Sequence, residues 1–185
     1  MRKIYIDVDE VILNSIEAVC GILNKKFNKD LHAKDIHTWN FLEYGDDITV
    51  DDVENAFASD EFFDTVEPND SALLFITKEY QNMHDIVVVT KGREDNIEKK
   101  KRFIDKIFEE IHVPYEYIGI PLEVSKGSVD MSDGILIDDN EANLYESNAK
   151  YKVLCINNIN SEWNSTWTHT SVKKDKIHCL NLKYL

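Results

Sequence analysis

Glycine and proline are scarce in this chain, at six and three among 185 residues. No Gly/Ser linker, low-complexity tract or internal repeat divides it, so boundaries must be read from the order of elements. Cysteine is scarce too. Cys20, Cys155 and Cys179 are odd in number, far apart and without metal-ligand spacing, which excludes a disulfide framework. They read as reduced, buried thiols of a cytoplasmic protein. The six histidines form no HxH or HExxH pattern, so a zinc site has no support. Positive charge is short, with 21 Lys and Arg against 35 Asp and Glu and a net charge of -14. A general binder of nucleic acid or of an anionic membrane needs a basic face, and this composition argues against both. A small phosphorylated substrate is still allowed, because a metal and one or two lysines can reverse the potential locally. No apolar run reaches membrane-spanning length, and the N-terminus reads as a strand followed by acids, not as a signal peptide.

What the chain does have is concentrated near its start. Lys3-Ile4-Tyr5-Ile6 is a short strand pattern, and Asp7, Asp9 and Glu10 follow it before the apolar step to Asn14-Ser15. On an extended chain, period two sets Asp7 and Asp9 on one side and Val8 on the other. Two carboxylates at the end of a buried strand repel each other and are tolerated most easily around a cation. The competing reading is a solvated acidic turn.

Helical spacing follows over Ser15 to Lys26, with Ile16, Val19, Cys20, Leu23 and Phe27 on one face. Asn28 to Asp47 is irregular. A short helix over Thr49 to Ala58 opens with Thr49 and Asp52 as a capping box, and Glu61 to Pro68 reads as a turn. A helix over Asp70 to Gln81 is expected to bury Leu73, Leu74, Ile76, Thr77 and Tyr80. Asp85 to Thr90 has the β-branched run of a strand covered on both faces, broken by Lys91-Gly92. A charged helix over Glu94 to Glu110 turns Phe103, Ile104, Ile107 and Phe108 inward. Strands are expected at Tyr115 to Ile120, Gly134 to Ile137, Lys152 to Ile156 and Ile177 to Leu182, with helices at Val124 to Met131 and Glu141 to Ser147. Alternating strands and helices argue for an α/β fold with an open parallel sheet. The interval from Asn14 to Asn82 is too long for one crossover helix and reads as a small helical insertion over the strand ends.

Ligands bind outside the carboxyl ends of such strands. Those ends carry Asp7 and Asp9, then Thr90 and Lys91, then Asp138 and Asp139, with Lys126 shortly before the last pair. Each has an ordinary structural alternative: cap, surface lysine or turn former. Together and in this order they resemble the four motifs of the haloacid dehalogenase (HAD) superfamily of phosphohydrolases. The first is Asp7-Val8-Asp9, the second ends in Thr90, the third is Lys126 with Lys91 as competitor, and the fourth ends in Asp138-Asp139. The helical insertion, the stretch from Phe62-Phe63 through Pro68 to the Ser71–Leu74 helix, and the Trp-containing tail are similar to the 5'(3')-deoxyribonucleotidase group.

The resemblance implies a Rossmann-like, three-layer HAD-like fold. Its core would span residues 1–13 and 83–185, and its cap residues 14–82. It implies a Mg²⁺-dependent phosphatase of nucleoside monophosphates, most similar to those acting on deoxy and pyrimidine forms, with Asp7 as nucleophile and Asp9 as general acid and base. Asp7, the Asp9 main-chain carbonyl and Asp139 would hold Mg²⁺, with Asp138 orienting its hydration. Thr90, Lys91 and Lys126 would bind the phosphate, and Trp39 and Phe41 of the insertion would contact the base. Asp9 sets the chain apart from the dehalogenases, which lack this acid and the metal. The sequence departs from the pattern at Glu10, where glycine is usual; a side chain there is expected to crowd the site or alter its charge. Competing functions are a phosphatase of another small ester or of a polynucleotide end, and an idle member that binds a nucleotide or a protein. The expected partner is a small phosphorylated molecule in the cytoplasm, with no nucleic acid and no membrane; the oligomeric state is open.

Overall fold

The computed structural model describes residues 2–36, 42–156 and 177–181. Six strands form one parallel sheet: β1 (Lys3–Ile6), β2 (Asp85–Gly92), β3 (Tyr115–Pro121), β4 (Gly134–Asp138), β5 (Tyr151–Ile156) and β6 (Ile177–Asn181). Their order across the sheet is β3-β2-β1-β4-β5-β6, which makes β1 central. The chain runs outward from β1 in one direction, then restarts at β4 and runs outward in the other. The switch point between β1 and β4 is where such sheets open a crevice.

Pleating divides the core. Ile4, Ile6, Ile86, Val88 and Ile137 point to one face, and Tyr5, Val87, Val89, Leu136 and Leu154 to the other. The first face is covered by α4 (Asp70–Gln81) and α5 (Glu94–Glu110), which bury Ala72, Ile76, Ile104 and Phe108, while α1 (Ser15–Phe27) turns Ile16, Val19 and Leu23 into the same continuous core and packs on the short helices that follow it. The second face is covered by Met131 and by Leu144 of α6 (Glu141–Glu146). Each such aliphatic side chain contributes about 1.5–3 kcal/mol when fully buried. The result is the expected three-layer α/β arrangement.

Between β1 and β2 the chain also forms α2 (Val50–Ala58) and α3 (Asp60–Thr65). The expected capping box is present: Thr49 Oγ1 accepts from Asp52 N at 3.2 Å, and Asp52 Oδ2 accepts from Thr49 N at 3.0 Å. The departing and returning strands of this insertion meet in a short neck. Asn14 N donates to the Glu67 carbonyl at 2.9 Å and Asn69 N to the Ile12 carbonyl at 2.7 Å.

Several local expectations are corrected. Glu61 to Pro68 is not simply a turn, because Ser59 caps the Phe62 N–H at 3.1 Å and starts α3. Helix α4 buries only Ala72 and Ile76 and leaves Leu74 and Tyr80 exposed, since a crossover helix at the sheet margin needs a narrower apolar stripe. The run from Val124 to Met131 forms only one 3-10 turn, Lys126–Ser128. Strand β2 does not break at Lys91-Gly92 but pairs through both residues with Ile120 and Pro121 of β3. Cys20 and Cys155 are buried and form no disulfide. Among the described residues, no helix is long and apolar enough to cross a membrane.

Candidate active site

The acids after β1 are gathered by a turn rather than by strand alternation. Asp7 N donates to the Ile137 carbonyl at 3.0 Å, one step past the end of the β1–β4 register. The chain then folds back, and the Val8 carbonyl accepts from the N–H groups of Ile12 and Leu13 at 2.9 Å each. Glu10 lies in that turn with φ +55°, the left-handed region where glycine is at ease. Its side chain is buried but does not line the cavity; Oε1 accepts from the Ile16 N–H at 2.8 Å in the first turn of α1. Asn14 supplies no side-chain cap to that helix, so Glu10 does so instead. A cap contributes about 1 kcal/mol and offsets a left-handed cost of about 1–2 kcal/mol. The expected crowding of the site by Glu10 is therefore not found.

On the β4 side of Asp7, Lys126 is fully buried between two carboxylates, with Nζ 2.7 Å from Asp7 Oδ1 and 2.6 Å from Asp138 Oδ2. Burial alone would lower its pKa, but Asp138 and Asp7 overcome this and raise it above the usual lysine value. Asp138 is saturated, for its Oδ1 also accepts from Asn140 N at 2.9 Å and from Asn143 Nδ2 at 3.1 Å. Its neighbour Asp139 is equally buried, yet neither of its oxygens has a hydrogen-bond partner. Burial, then Asp138, Asp7 and Glu10, push the Asp139 carboxyl well above the ordinary range. Asp7 is raised to about 7, chiefly by burial and then by Asp138 and Asp9 against the opposing pull of Lys126.

On the β2 side stands a residue that motif reading missed. Lys100 of α5 is buried, and its ammonium bonds to Asp9 Oδ2, to Thr90 Oγ1 at 3.3 Å and to the Lys91 carbonyl at 3.2 Å. Ser15 Oγ donates to the other Asp9 oxygen at 2.7 Å. Thr90 is fully buried at the rim. Gly92 makes room for α5, because a Cβ there would lie 2.6 Å from Asn96 Oδ1. The Asn96 carboxamide in turn donates to the Phe57 carbonyl at 2.6 Å and ties α5 to the insertion.

These groups floor a cavity of about 320 Å³ that contains Asp7, Asp9, Lys91, Lys100, Lys126 and Asp139, and that Glu54 and Phe57 of α2 wall from the other side. Thus the structure brings together Asp7, Asp9, Thr90, Lys126, Asp138 and Asp139, with Lys91 on the cavity wall. Trp39 and Phe41 lie outside the described residues. Glu54 and Phe57 had no sequence signal beyond an amphipathic helix. Lys100 had only a weak one: it stands at helical spacing from Ile97 and Ile104, but so does Lys101, and the structure buries the first and exposes the second.

One oxygen each from Asp7, Asp138 and Asp139 lies within 4.8 Å of the others. Four carboxyl groups on this rim face two buried ammonium groups, so two of the acids lack a countercharge. An all-oxygen donor set with an unpartnered buried carboxylate fits a hard divalent cation such as Mg²⁺.

Comparison with known proteins agrees with this geometry. The family model described as "5' nucleotidase, deoxy (Pyrimidine), cytosolic type C protein" matches residues 1–174. The chain belongs to this family. It is accordingly a phosphomonoester hydrolase, a phosphatase of the HAD superfamily. No curated protein matches it in sequence. Among solved structures, it is similar to D,D-heptose bisphosphate phosphatase from B. bronchiseptica, complexed with magnesium and phosphate, with TM-score 0.56 and 10% identity, covering 98% of this chain and 94% of that one. A HAD-superfamily hydrolase from Ehrlichia chaffeensis gives TM-score 0.53 and 8% identity over 83% and 86% of the chains. A subfamily IA hydrolase from Geobacter sulfurreducens gives 0.53 and 11% over 84% and 89%. At such identities the likeness concerns the fold.

Proposed function

We propose that this phosphatase is a Mg²⁺-dependent 5'(3')-deoxyribonucleotidase that acts on deoxynucleoside monophosphates through an aspartyl-phosphate on Asp7. The observation that carries the reading is Asp139: a buried carboxylate with both oxygens unpartnered, beside Asp7, on the floor of a cavity walled by the insertion. The cavity is of a size that small-molecule sites have. Asp7, the Asp9 main-chain carbonyl and Asp139 would hold the cation, and Asp138, saturated by Lys126, Asn140 and Asn143, would orient its hydration. When bound, Mg²⁺ neutralises phosphoryl charge and favours the ionised form of Asp7.

The chain's own groups then divide the work. Lys126 holds Asp7 Oδ1, so Oδ2 is the attacking oxygen. It forms a bond to phosphorus as the bond from phosphorus to the leaving oxygen breaks, and Asp9 gives its proton to that oxygen. Asp9 next takes a proton from the water that cleaves the acyl phosphate, which returns Asp7 to a carboxylate. In the resting site Lys100 occupies Asp9 Oδ2. A phosphate dianion beside Thr90 and Lys91 gives that ammonium a competing anion and frees Asp9 to carry its proton. The part of residues 14–82 that lies beyond the neck acts as the cap, with Trp39 and Phe41 as base contacts, and the cytoplasm is the compartment proposed.

The test is phosphate release from a panel of deoxynucleoside 5'- and 3'-monophosphates and sugar phosphates, with Mg²⁺ or EDTA. Nucleotide turnover that needs the metal, and that falls about 10³-fold or more in Asp7→Asn while its thermal melt is unchanged, is the expected result. Release from sugar phosphates alone rejects the nucleotide assignment. Silence of the wild type on every ester leaves an idle member.

A further inference from the structure

Asp9 is held from two sides, and the two holders differ in permanence. Lys100 grips Oδ2, and in the proposed reaction it yields to the incoming phosphate. Ser15 Oγ donates to Oδ1 at 2.7 Å, is fully buried and stands at the first position of α1. Ser15 is therefore the holder that stays when Lys100 turns away. A hydroxyl that donates to Oδ1 leaves Oδ2 as the oxygen to carry the proton.

What fixes Ser15 is the start of α1. The first N–H groups of a helix have no acceptor within it. Asn14 precedes the helix, but its side chain supplies none. Glu10 does, from six residues upstream of Ile16, through Oε1 at 2.8 Å from the Ile16 N–H. Asp9 to Ser15 and Glu10 to Ile16 are thus two successive ties with the same offset, and they join the acid turn to the helix. Glu10 reaches this position only by taking φ +55° and burying its side chain completely. Helix α1 also packs on α2 and α3, so its first turn answers to the insertion as well as to the acid turn.

We infer that Glu10 is a positioning residue for the general acid: through Ile16 it fixes the first turn of α1, so that Ser15 keeps Asp9 Oδ2 aimed at the leaving oxygen. The inference rests on the proposed role of Asp9. It gives this position the opposite sign from an intruder. Glycine there eases the backbone and loses the tie, so Glu10→Gly keeps the fold and weakens the acid.

The experiment compares kcat/KM for phenyl phosphate and p-nitrophenyl phosphate, two esters of like shape, in the presence of Mg²⁺. It uses wild type, Glu10→Gly, Glu10→Gln, Ser15→Ala and Asp9→Asn, with a thermal melt of each. This constant reads the steps up to departure of the alcohol, and p-nitrophenolate leaves readily without a proton whereas phenolate does not. In Glu10→Gly and Ser15→Ala, phenyl phosphate is expected to lose about tenfold more than p-nitrophenyl phosphate. Glu10→Gln, which keeps an acceptor oxygen, is expected to restore the wild-type ratio. A merely structural loss lowers both esters alike. Amide exchange at Ile16 reads the tie without turnover and is expected to quicken about tenfold in Glu10→Gly but not in Glu10→Gln. If Asp9→Asn loses phenyl phosphate selectively while Glu10→Gly and Ser15→Ala keep the wild-type ratio, the inference alone is overturned. If Asp9→Asn lowers both esters equally, the acid role of Asp9 fails and takes the inference with it.

Discussion

Two lysines flank the central strand, one on each side, and they do unlike work. Lys126 comes from a 3-10 turn before β4 and is locked between Asp7 and Asp138, so its charge belongs to the side where the nucleophile and the metal are proposed. Lys100 comes from the middle of α5 and joins Asp9 to Thr90 and to the Lys91 carbonyl, so its charge belongs to the side where the general acid and the phosphate are proposed. The first is held by two carboxylates and has no spare anion to seek. The second holds one carboxylate and a hydroxyl, an arrangement a phosphate can enter. The site thus separates a fixed countercharge from an exchangeable one, and the two can be told apart by substitution.

The largest effect is expected at the fixed one. Lys126→Met leaves Asp7 and Asp138 buried without their cation, and breaking such a pair costs about 3–5 kcal/mol. Urea denaturation should show that loss without metal, a partial recovery with Mg²⁺, and activity down about 10³-fold. A variant as stable as wild type would mean that Lys126 is not the countercharge of the nucleophile. At the exchangeable lysine the fold should survive. Lys100→Met is expected to lower kcat about 10- to 100-fold, because Asp9 loses the group that positions it, whereas Lys101→Met, whose lysine pairs with Asp105 on the exposed face, should leave kcat unchanged. Equal effects from the two variants would erase the distinction.

The smallest effect is on stability in the absence of metal. Asp7 is raised from 3.8 to about 7, so between those values the folded protein keeps a proton that the unfolded chain releases. Stability contributed by this group is therefore highest below about pH 4 and falls as pH rises through 7. In EDTA, the melting temperature attributable to this site should drop by about 3–5 °C from pH 5.5 to pH 7.5, and saturating Mg²⁺ should shrink the drop. An identical pH slope with and without the metal would place the cation elsewhere.

What the sequence disclosed follows from which forces act locally. The strands of the sheet could be read because β-branched runs such as Ile86–Val89 are a local signature of burial on two faces. The rim acids could be placed together because each sits at or next to a strand end, whereas Lys126, in a 3-10 turn between β3 and β4, was placed only by its order in the chain. Lys100 could not be read from a motif, because its neighbours Lys99 and Lys101 have the same chemistry and Lys101 shares its helical spacing. The wall made by Glu54 and Phe57 was illegible for a different reason: it depends on how α2 docks on α5, through Asn96 and the Phe57 carbonyl, and no local pattern encodes that docking. Glu10 was misread as an intruder because its partner, the Ile16 N–H, is a backbone group.

The neck formed by Asn14 with Glu67 and Asn69 with Ile12 has one more consequence. The two ends of the inserted chain meet backbone to backbone, so the register of the sheet does not sense what is threaded between them. Loop-closure cost grows only logarithmically with length. The neck therefore accommodates changes of length in the middle of the insertion but not its removal, because Ser15 just past it holds Asp9 and the Ile16 N–H fixes Glu10 in the turn that gathers the acids. A change of the inserted segment that spares Ser15 and Ile16 is expected to leave the register of β1 on β2, Lys3 to Asp85 and Ile6 to Val88, unchanged.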